Sequence, residues 1–137
     1  MAWTTPRTWI AGEVVTAALL NAQVRDNLTY LKGDAAWIPV TFQNGWVNYG
    51  PPVQTVQYRK IGDVVYLRGT AKSGTVGSGT PIFTLPVGHR PFVSMLFPVL
   101  SSQLFGRLNV FTAGTVALNI GSNVFVALDS INFSTVA

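Results

Sequence analysis

The chain has 137 residues, of which 48% are hydrophobic and only 10% are charged, against about 25% charged in an ordinary soluble domain. Nine Lys and Arg against five Asp and Glu give a net charge of +4. The composition excludes disorder, and the scattered basic residues form no row that would neutralise a nucleic-acid backbone. With no cysteine and one histidine, disulfides, thiolate sites and multi-histidine metal sites are also excluded.

Residues 17–32 predict a single helix of about four turns. Thr16 is a good N-cap residue, no Gly or Pro follows before Lys32, and Gly33 is typical of a helix C-terminus. A mostly apolar seam runs along the helix at spacings of three and four: Leu20, Val24, Asn27, Leu28 and Leu31.

A helix this short is marginal alone, so the seam either docks on its own domain or associates with other copies. The charge-poor surface favours association, because copies would cover exposed apolar groups. We predict that the five seam residues mediate oligomerisation, with Asn27 near the bundle axis. If Asn27 lies off the axis, Leu28 takes its place.

After Gly33 the hydrophobic period changes to two, which predicts short strands. Ile61-Gly62-Asp63 and Thr112-Ala113-Gly114 read as hairpin turns. The predicted strands are Trp37–Phe42, Val53–Lys60, Val64–Thr70, Ile82–Leu85, Phe92–Leu100, Leu104–Phe111, Thr115–Ile120, Phe125–Asp129 and Ile131–Val136. About nine strands with no helix between them predict a mostly-β chain, an antiparallel, jelly-roll-like β-sandwich. The predicted organisation is a helical segment 1–33 followed by a sandwich domain 34–137.

The sequence indicates no enzyme. His89 lies in a turn between two prolines, the five acids are dispersed, and no Gly-x-Ser-x-Gly elbow occurs. The glycine-rich stretch Ser73–Thr80 lacks the lysine of a phosphate-binding loop. We therefore expect no catalytic, metal or cofactor site. We also expect no membrane insertion, because the nearly apolar stretch Phe92–Leu100 is far shorter than the ~20 residues of a membrane-spanning helix.

Four aromatic residues precede Pro51-Pro52: Trp37, Phe42, Trp46 and Tyr49. At alternate strand positions such residues most often form a core or a subunit interface. They are also suited to stacking on carbohydrate, so Trp46 and Tyr49 are candidate contacts for a glycan.

Two groups of motifs resemble structural proteins of tailed bacteriophages. TWIAGEVVTAALLNAQVRDNL at residues 8–28 resembles an N-terminal segment that recurs in phage and prophage structural proteins. The later motifs resemble the β-rich end domain of phage fibres and spikes: NGW at 44–46, VQYRK at 56–60, VVYLRG at 64–69, TLPVGHRP at 84–91 and VALDSINF at 126–133.

This resemblance implies a homotrimer in which a short helical bundle leads into the β-domain. It implies a non-enzymatic virion component, a short fibre, spike or decoration, assembled in the bacterial cytoplasm and attached to other virion proteins through its N-terminal segment. The alternative is a tail-fibre module that binds a host-surface glycan or receptor. The chain has no long repetitive shaft, and the stretch Phe92–Phe105 is more apolar than a free knob would be, which favours a compact collar, decoration or short spike.

Overall fold

The structure, a computed structural model, describes residues 3–32 and 35–137. It confirms a mostly-β chain with antiparallel sheets and one short N-terminal helix. The predicted boundary between residues 33 and 34, and Gly33 as the end of the helix, lie outside the described residues. The division into 1–33 and 34–137 stays a prediction.

The N-terminal helix runs from Ala17 to Lys32. It consists of α1 (Ala17–Leu20), a π-helical turn (Asn21–Arg25) and α2 (Asp26–Lys32). The predicted cap is confirmed, because Oγ1 of Thr16 accepts a hydrogen bond from the Leu19 backbone N–H at 3.3 Å. The π-helical turn rotates the following side chains relative to a regular helix, which the seam spacing does not reveal.

Eleven strands in residues 35–137 form two antiparallel sheets. They are β1 (Ile38–Pro39), β2 (Val47–Asn48), β3 (Gln57–Ile61), β4 (Val64–Arg68), β5 (Thr70–Lys72), β6 (Phe83–Thr84), β7 (Met95–Ser101), β8 (Leu104–Val110), β9 (Thr115–Ile120), β10 (Val126–Ala127) and β11 (Asn132–Ser134). The smaller sheet has the order β1-β3-β4-β11. The larger has the order β2-β5-β10-β7-β8-β9-β6. The antiparallel sheets include a curled half-barrel.

Both predicted glycine hairpins are confirmed. β3 and β4 pair as far as Ile61 and Val64, which leaves Gly62 and Asp63 as a two-residue turn. Gly62 has a φ of +58°, a left-handed value that glycine adopts without strain and that tight hairpins need. The second hairpin joins β8 to β9 through residues 111–114.

The predicted strand Val64–Thr70 is wrong in one respect, because Gly69 divides it into β4 and β5, which belong to different sheets. Gly69 has a φ of +100°, and a side chain there would overlap the Thr55 carbonyl. Its N–H donates to Oδ1 of Asp129 at 2.9 Å instead of to a neighbouring strand. Glycine therefore permits both the bend and the close approach at the corner where the chain changes sheets.

The core lies between the two sheets and is apolar. Along β4, Val65 and Leu67 are buried whereas their neighbours are half-buried, the period of two expected when one strand face packs inward. Leu108 and Leu118 supply the larger sheet's side of the same core. The large buried apolar area is the main source of the sandwich's stability.

The N-terminal helix contacts the sandwich at the β3–β4 turn, which we call the helix end. Tyr30 lies against Gly62 and hydrogen-bonds Asp63. Burial, the charge of Asp63 and this hydrogen bond raise the pKa of the Tyr30 phenol. Trp3 packs on the same tyrosine, with ring centroids 5.9 Å apart.

Candidate functional site

The segment before the helix folds back along it and binds it through backbone groups. Asn27 and Thr4 form a reciprocal pair: the Thr4 N–H donates to Oδ1 of Asn27, and Nδ2 of Asn27 donates to the Thr4 carbonyl, both at 2.9 Å. One turn earlier, Gln23 accepts from the Arg7 N–H at 3.1 Å and donates to the Thr5 carbonyl. These contacts fix the path of the segment by satisfying its backbone polar groups.

The prediction that Asn27 sits near a bundle axis is therefore wrong. Its side chain is only 5% exposed within a single chain, and its carboxamide is satisfied by Thr4 and by the Gln23 carbonyl at 3.3 Å. Both Nδ2 hydrogens are used within the chain, and the buried carboxamide is covered by the segment around Thr4.

The other four predicted seam residues lie on the open side of the helix. Leu20, Val24, Leu28 and Leu31 are between 48% and 62% exposed, and we call them the leucine stripe. Four apolar side chains in a row on an exposed helix face are typical of an interaction surface. Leu28, the alternative to Asn27, belongs to this stripe. That the stripe joins copies of the chain stays a prediction.

The aromatic residues do not form one patch. Trp46 is 2% exposed and belongs to the core, and its indole N–H donates to the Thr75 carbonyl at 3.2 Å. A buried indole has no free face for a sugar, so the prediction of a glycan contact is wrong for Trp46. Tyr49 is partly exposed, beside Lys72 at 5.0 Å and Phe125 at 5.9 Å, and for it the prediction stands untested.

A pocket that the sequence analysis did not identify opens beside the β7–β8 turn. Its volume is about 730 Å³. Its lining combines hydroxyl, amide and apolar groups from Ser101, Ser102, Gln103, Leu104, Phe105, Ile120, Gly121 and Ser122. Phe105 is 83% exposed. In the sequence, the apolar character of Phe92–Phe105 was the signal for this pocket. The position of the pocket in space depends on the register of the strands.

The hydrogen bonds place this pocket at the opposite end of the sandwich from the helix. At the helix end, the Thr135 N–H donates to the Asp63 carbonyl at 2.8 Å, and the Phe92 N–H donates to the Ser134 carbonyl at 3.3 Å. β7 starts shortly after Phe92 and runs along the sandwich to Ser101. The pocket therefore lies at what we call the far end of the molecule.

His89, the single histidine, lies near Lys60 and Tyr58. Burial and the positive charge of Lys60 lower the pKa of His89. The nearest aromatic neighbour of His89 is Tyr58, whose ring meets it edge-on at 5.3 Å. Residues 3–32 and 35–137 contain no group of three His, Asp or Glu side chains placed to hold a metal ion. Within the same ranges, the helix lacks the length and apolar character needed to cross a bilayer.

No protein-family model matches the chain, and no curated protein matches it. Among solved structures, the crystal structure of the receptor binding protein (gp15) of Listeria phage PSA is similar, with a TM-score of 0.57 and 23% sequence identity. The match covers 88% of this chain and 80% of that chain. Because residues 35–137 make up about three quarters of the chain, the likeness extends beyond the sandwich into the helical region. It shows that the fold of this chain also occurs in a phage protein.

Proposed function

We propose that this chain is a non-enzymatic structural component of a tailed-phage particle, a short fibre, spike or decoration. The observation that carries the proposal is the likeness to a phage receptor binding protein over 88% of the chain. The motif at residues 8–28 supports it from the sequence, since segments of this kind recur in phage structural proteins. Other virion proteins are the proposed partners of the N-terminal segment.

Three copies are proposed to assemble through the leucine stripe. The stripe exposes four large apolar side chains in a single chain, and a self-associating bundle would bury them. Asn27 takes no part in this assembly, because its hydrogen bonds lie within its own chain.

A second candidate function, binding of a host-surface receptor or glycan, is favoured by the pocket at the far end. That pocket joins an exposed Phe105 to serine and glutamine groups. An aromatic face beside neutral hydroxyl and amide groups suits a sugar ring, which has apolar C–H faces and polar edges. With the helix end on the particle, the far end would meet the host first.

The virion proposal is tested by fractionating phage particles. Particles from a lysate are banded on a density gradient, and each fraction is probed with an antibody against the sandwich. We expect the chain to co-migrate with a capsid protein and to stay bound after a high-salt wash. Recovery only in the fractions of free protein would contradict the proposal.

The host-binding candidate is tested by competition. Purified chain, added before the phage, is expected to slow adsorption to host cells, and Phe105→Ser is expected to abolish this effect. Val87→Ser is the matched control, because Val87 is 82% exposed in a loop away from the pocket. The pocket would be rejected as the binding site if the two variants competed equally well, or if neither of them competed.

A further inference from the structure

The outer face of the smaller sheet carries two arginines around one tryptophan. Arg59 on β3 pairs with Tyr66 on β4, and Arg68 on β4 pairs with Gln57 on β3, so all four side chains share one face of the sheet. Trp37, just before β1, lies close to both cations. The guanidinium carbons of Arg68 and Arg59 are 4.0 Å and 4.4 Å from the centre of its ring.

Neither arginine is neutralised by a carboxylate in the described part of the chain. The ion pairs there join Arg7 to Glu13 and Arg25 to Asp26. The two other described acids are engaged elsewhere: Asp63 with Tyr30 and Asp129 with the Gly69 N–H. Two like charges held close together repel each other, and the stacking on Trp37 offsets this only in part.

Arg59 also has an unused hydrogen-bond donor. Its Nε is buried and has no acceptor, and a buried donor that stays unpaired is destabilising. Arg68 is held in place by Gln57, whose Oε1 accepts from Nε at 2.9 Å and from Nη2 at 2.5 Å. The guanidinium group of Arg68 is thus oriented before any ligand arrives, and its Nη1 is not used by Gln57.

We propose that Arg59 and Arg68 form a binding site for a phosphate group at the edge of Trp37. A tetrahedral oxyanion has enough acceptor oxygens to serve two guanidinium groups and the charge to balance them, and arginine pairs suit it through charge-assisted, bidentate hydrogen bonds. An uncharged sugar would leave both charges unbalanced. The site lies on the sheet face and not in the far-end pocket, so the inference is independent of the proposed function.

The purified full chain tests the site by nuclear magnetic resonance of arginine side chains. Inorganic phosphate is titrated at constant ionic strength while the Nε–H signals are recorded. We expect saturable shifts for Arg59 and Arg68 and none for the exposed Arg107 on the larger sheet. Arg59→Lys is expected to weaken binding by about tenfold, because lysine cannot replace a bidentate guanidinium, whereas Arg107→Lys leaves it unchanged.

Thermal unfolding gives a second readout of the same site. Phosphate should raise the melting temperature of the wild type and of Arg107→Lys equally, and that of Arg59→Lys by less. A parallel titration with dimethyl phosphate distinguishes the source of the group: shifts with both probes indicate a phosphodiester, and shifts with inorganic phosphate alone indicate a free phosphate. Three results would overturn the site. The first is no shift at either arginine, and the second is an equal shift at Arg107. The third is a shift that depends on protein concentration and not on phosphate, which would mean that another copy covers the face.

Discussion

Gly74 and Trp46 are matched in size at one point of the core. A side-chain carbon on Gly74 would overlap the Trp46 ring, and its backbone has no left-handed φ. The constraint at Gly74 is therefore one of space and not of backbone conformation. In the same loop, Gly79 has open space around it and no such φ, which makes it a matched control.

We predict that Gly74→Ala lowers the free energy of unfolding by about 1–3 kcal/mol, the usual cost of overpacking a core. Gly79→Ala should stay within about 0.5 kcal/mol of the wild type or stabilise it slightly, because alanine restricts the unfolded chain. Urea unfolding followed by tryptophan fluorescence measures both. Equal stability of the two variants would mean that Trp46 does not fill this space.

Asn27 is a residue whose predicted role the structure changes. Asn27→Leu leaves the Thr4 N–H and carbonyl without their partners, so we predict a loss of about 1–3 kcal/mol from the attachment of the N-terminal segment. Hydrogen exchange at the Thr4 amide is the direct measurement. Unchanged protection of that amide would show that the reciprocal pair contributes nothing.

The pKa of His89, the single histidine, gives a prediction about pH. Because the pKa of His89 in the folded chain is lowered from 6.5, the unfolded chain binds a proton at this imidazole more readily than the folded chain does. The contribution of His89 to stability is then fully present above pH 6.5 and is lost as the pH falls through the lowered value.

Lys60→Met removes the nearby positive charge, so the pKa of His89 should rise but stay below 6.5, since burial is the larger cause. A titration of the imidazole signal by nuclear magnetic resonance measures this shift. Lys72→Met is the control, because Lys72 lies beside Tyr49. A pKa that both variants leave unchanged would rule out the influence of Lys60.

At the scale of elements, the sequence predicted what local patterns determine. The helix followed from a cap and an uninterrupted run without Gly or Pro, and the hairpins followed from Gly62 and Gly114. β2 has two residues and β5 has three, too few for a period of two to be visible. The division at Gly69 depends on Thr55 and Asp129, which are distant in sequence.

In the candidate site, too, the sequence predicted only what local patterns determine. Four of the five seam residues are exposed, but the partner of Asn27 is 23 residues away. The buried indole N–H of Trp46 donates to the Thr75 carbonyl, 29 residues away. Contacts over such distances leave no local pattern. The sequence therefore misplaced Asn27, and for Trp46 it favoured the core position that the structure shows but left a glycan contact open.

The leucine stripe of the N-terminal helix is predicted to hold the copies of the chain together. Leu28→Asn should shift the sedimenting mass from three chains towards one at micromolar concentration, because it puts a polar group into the buried seam. Ala18→Asn is the control: it lowers helix propensity similarly and lies outside the stripe. A wild type that already sediments as a single chain would contradict the trimer, and equal masses for both variants would contradict the stripe.

At the scale of the whole molecule, the two ends differ in chemistry. The helix end carries the leucine stripe and the N-terminal segment, and the far end carries the pocket with its exposed Phe105. A sandwich with distinct ends suits a protein that attaches to a particle by one end and presents the other. We therefore predict the orientation of the chain on the particle as well as its location.

An electron cryo-microscopy map of the phage particle that carries this chain tests that claim most directly. We expect three copies of the sandwich around a common axis on the particle surface, with the helices at the centre pointing towards the particle and the β7–β8 turns pointing outwards. A map in which the sandwich is absent from the particle, stands as a single copy, or turns its far end inwards would contradict the account.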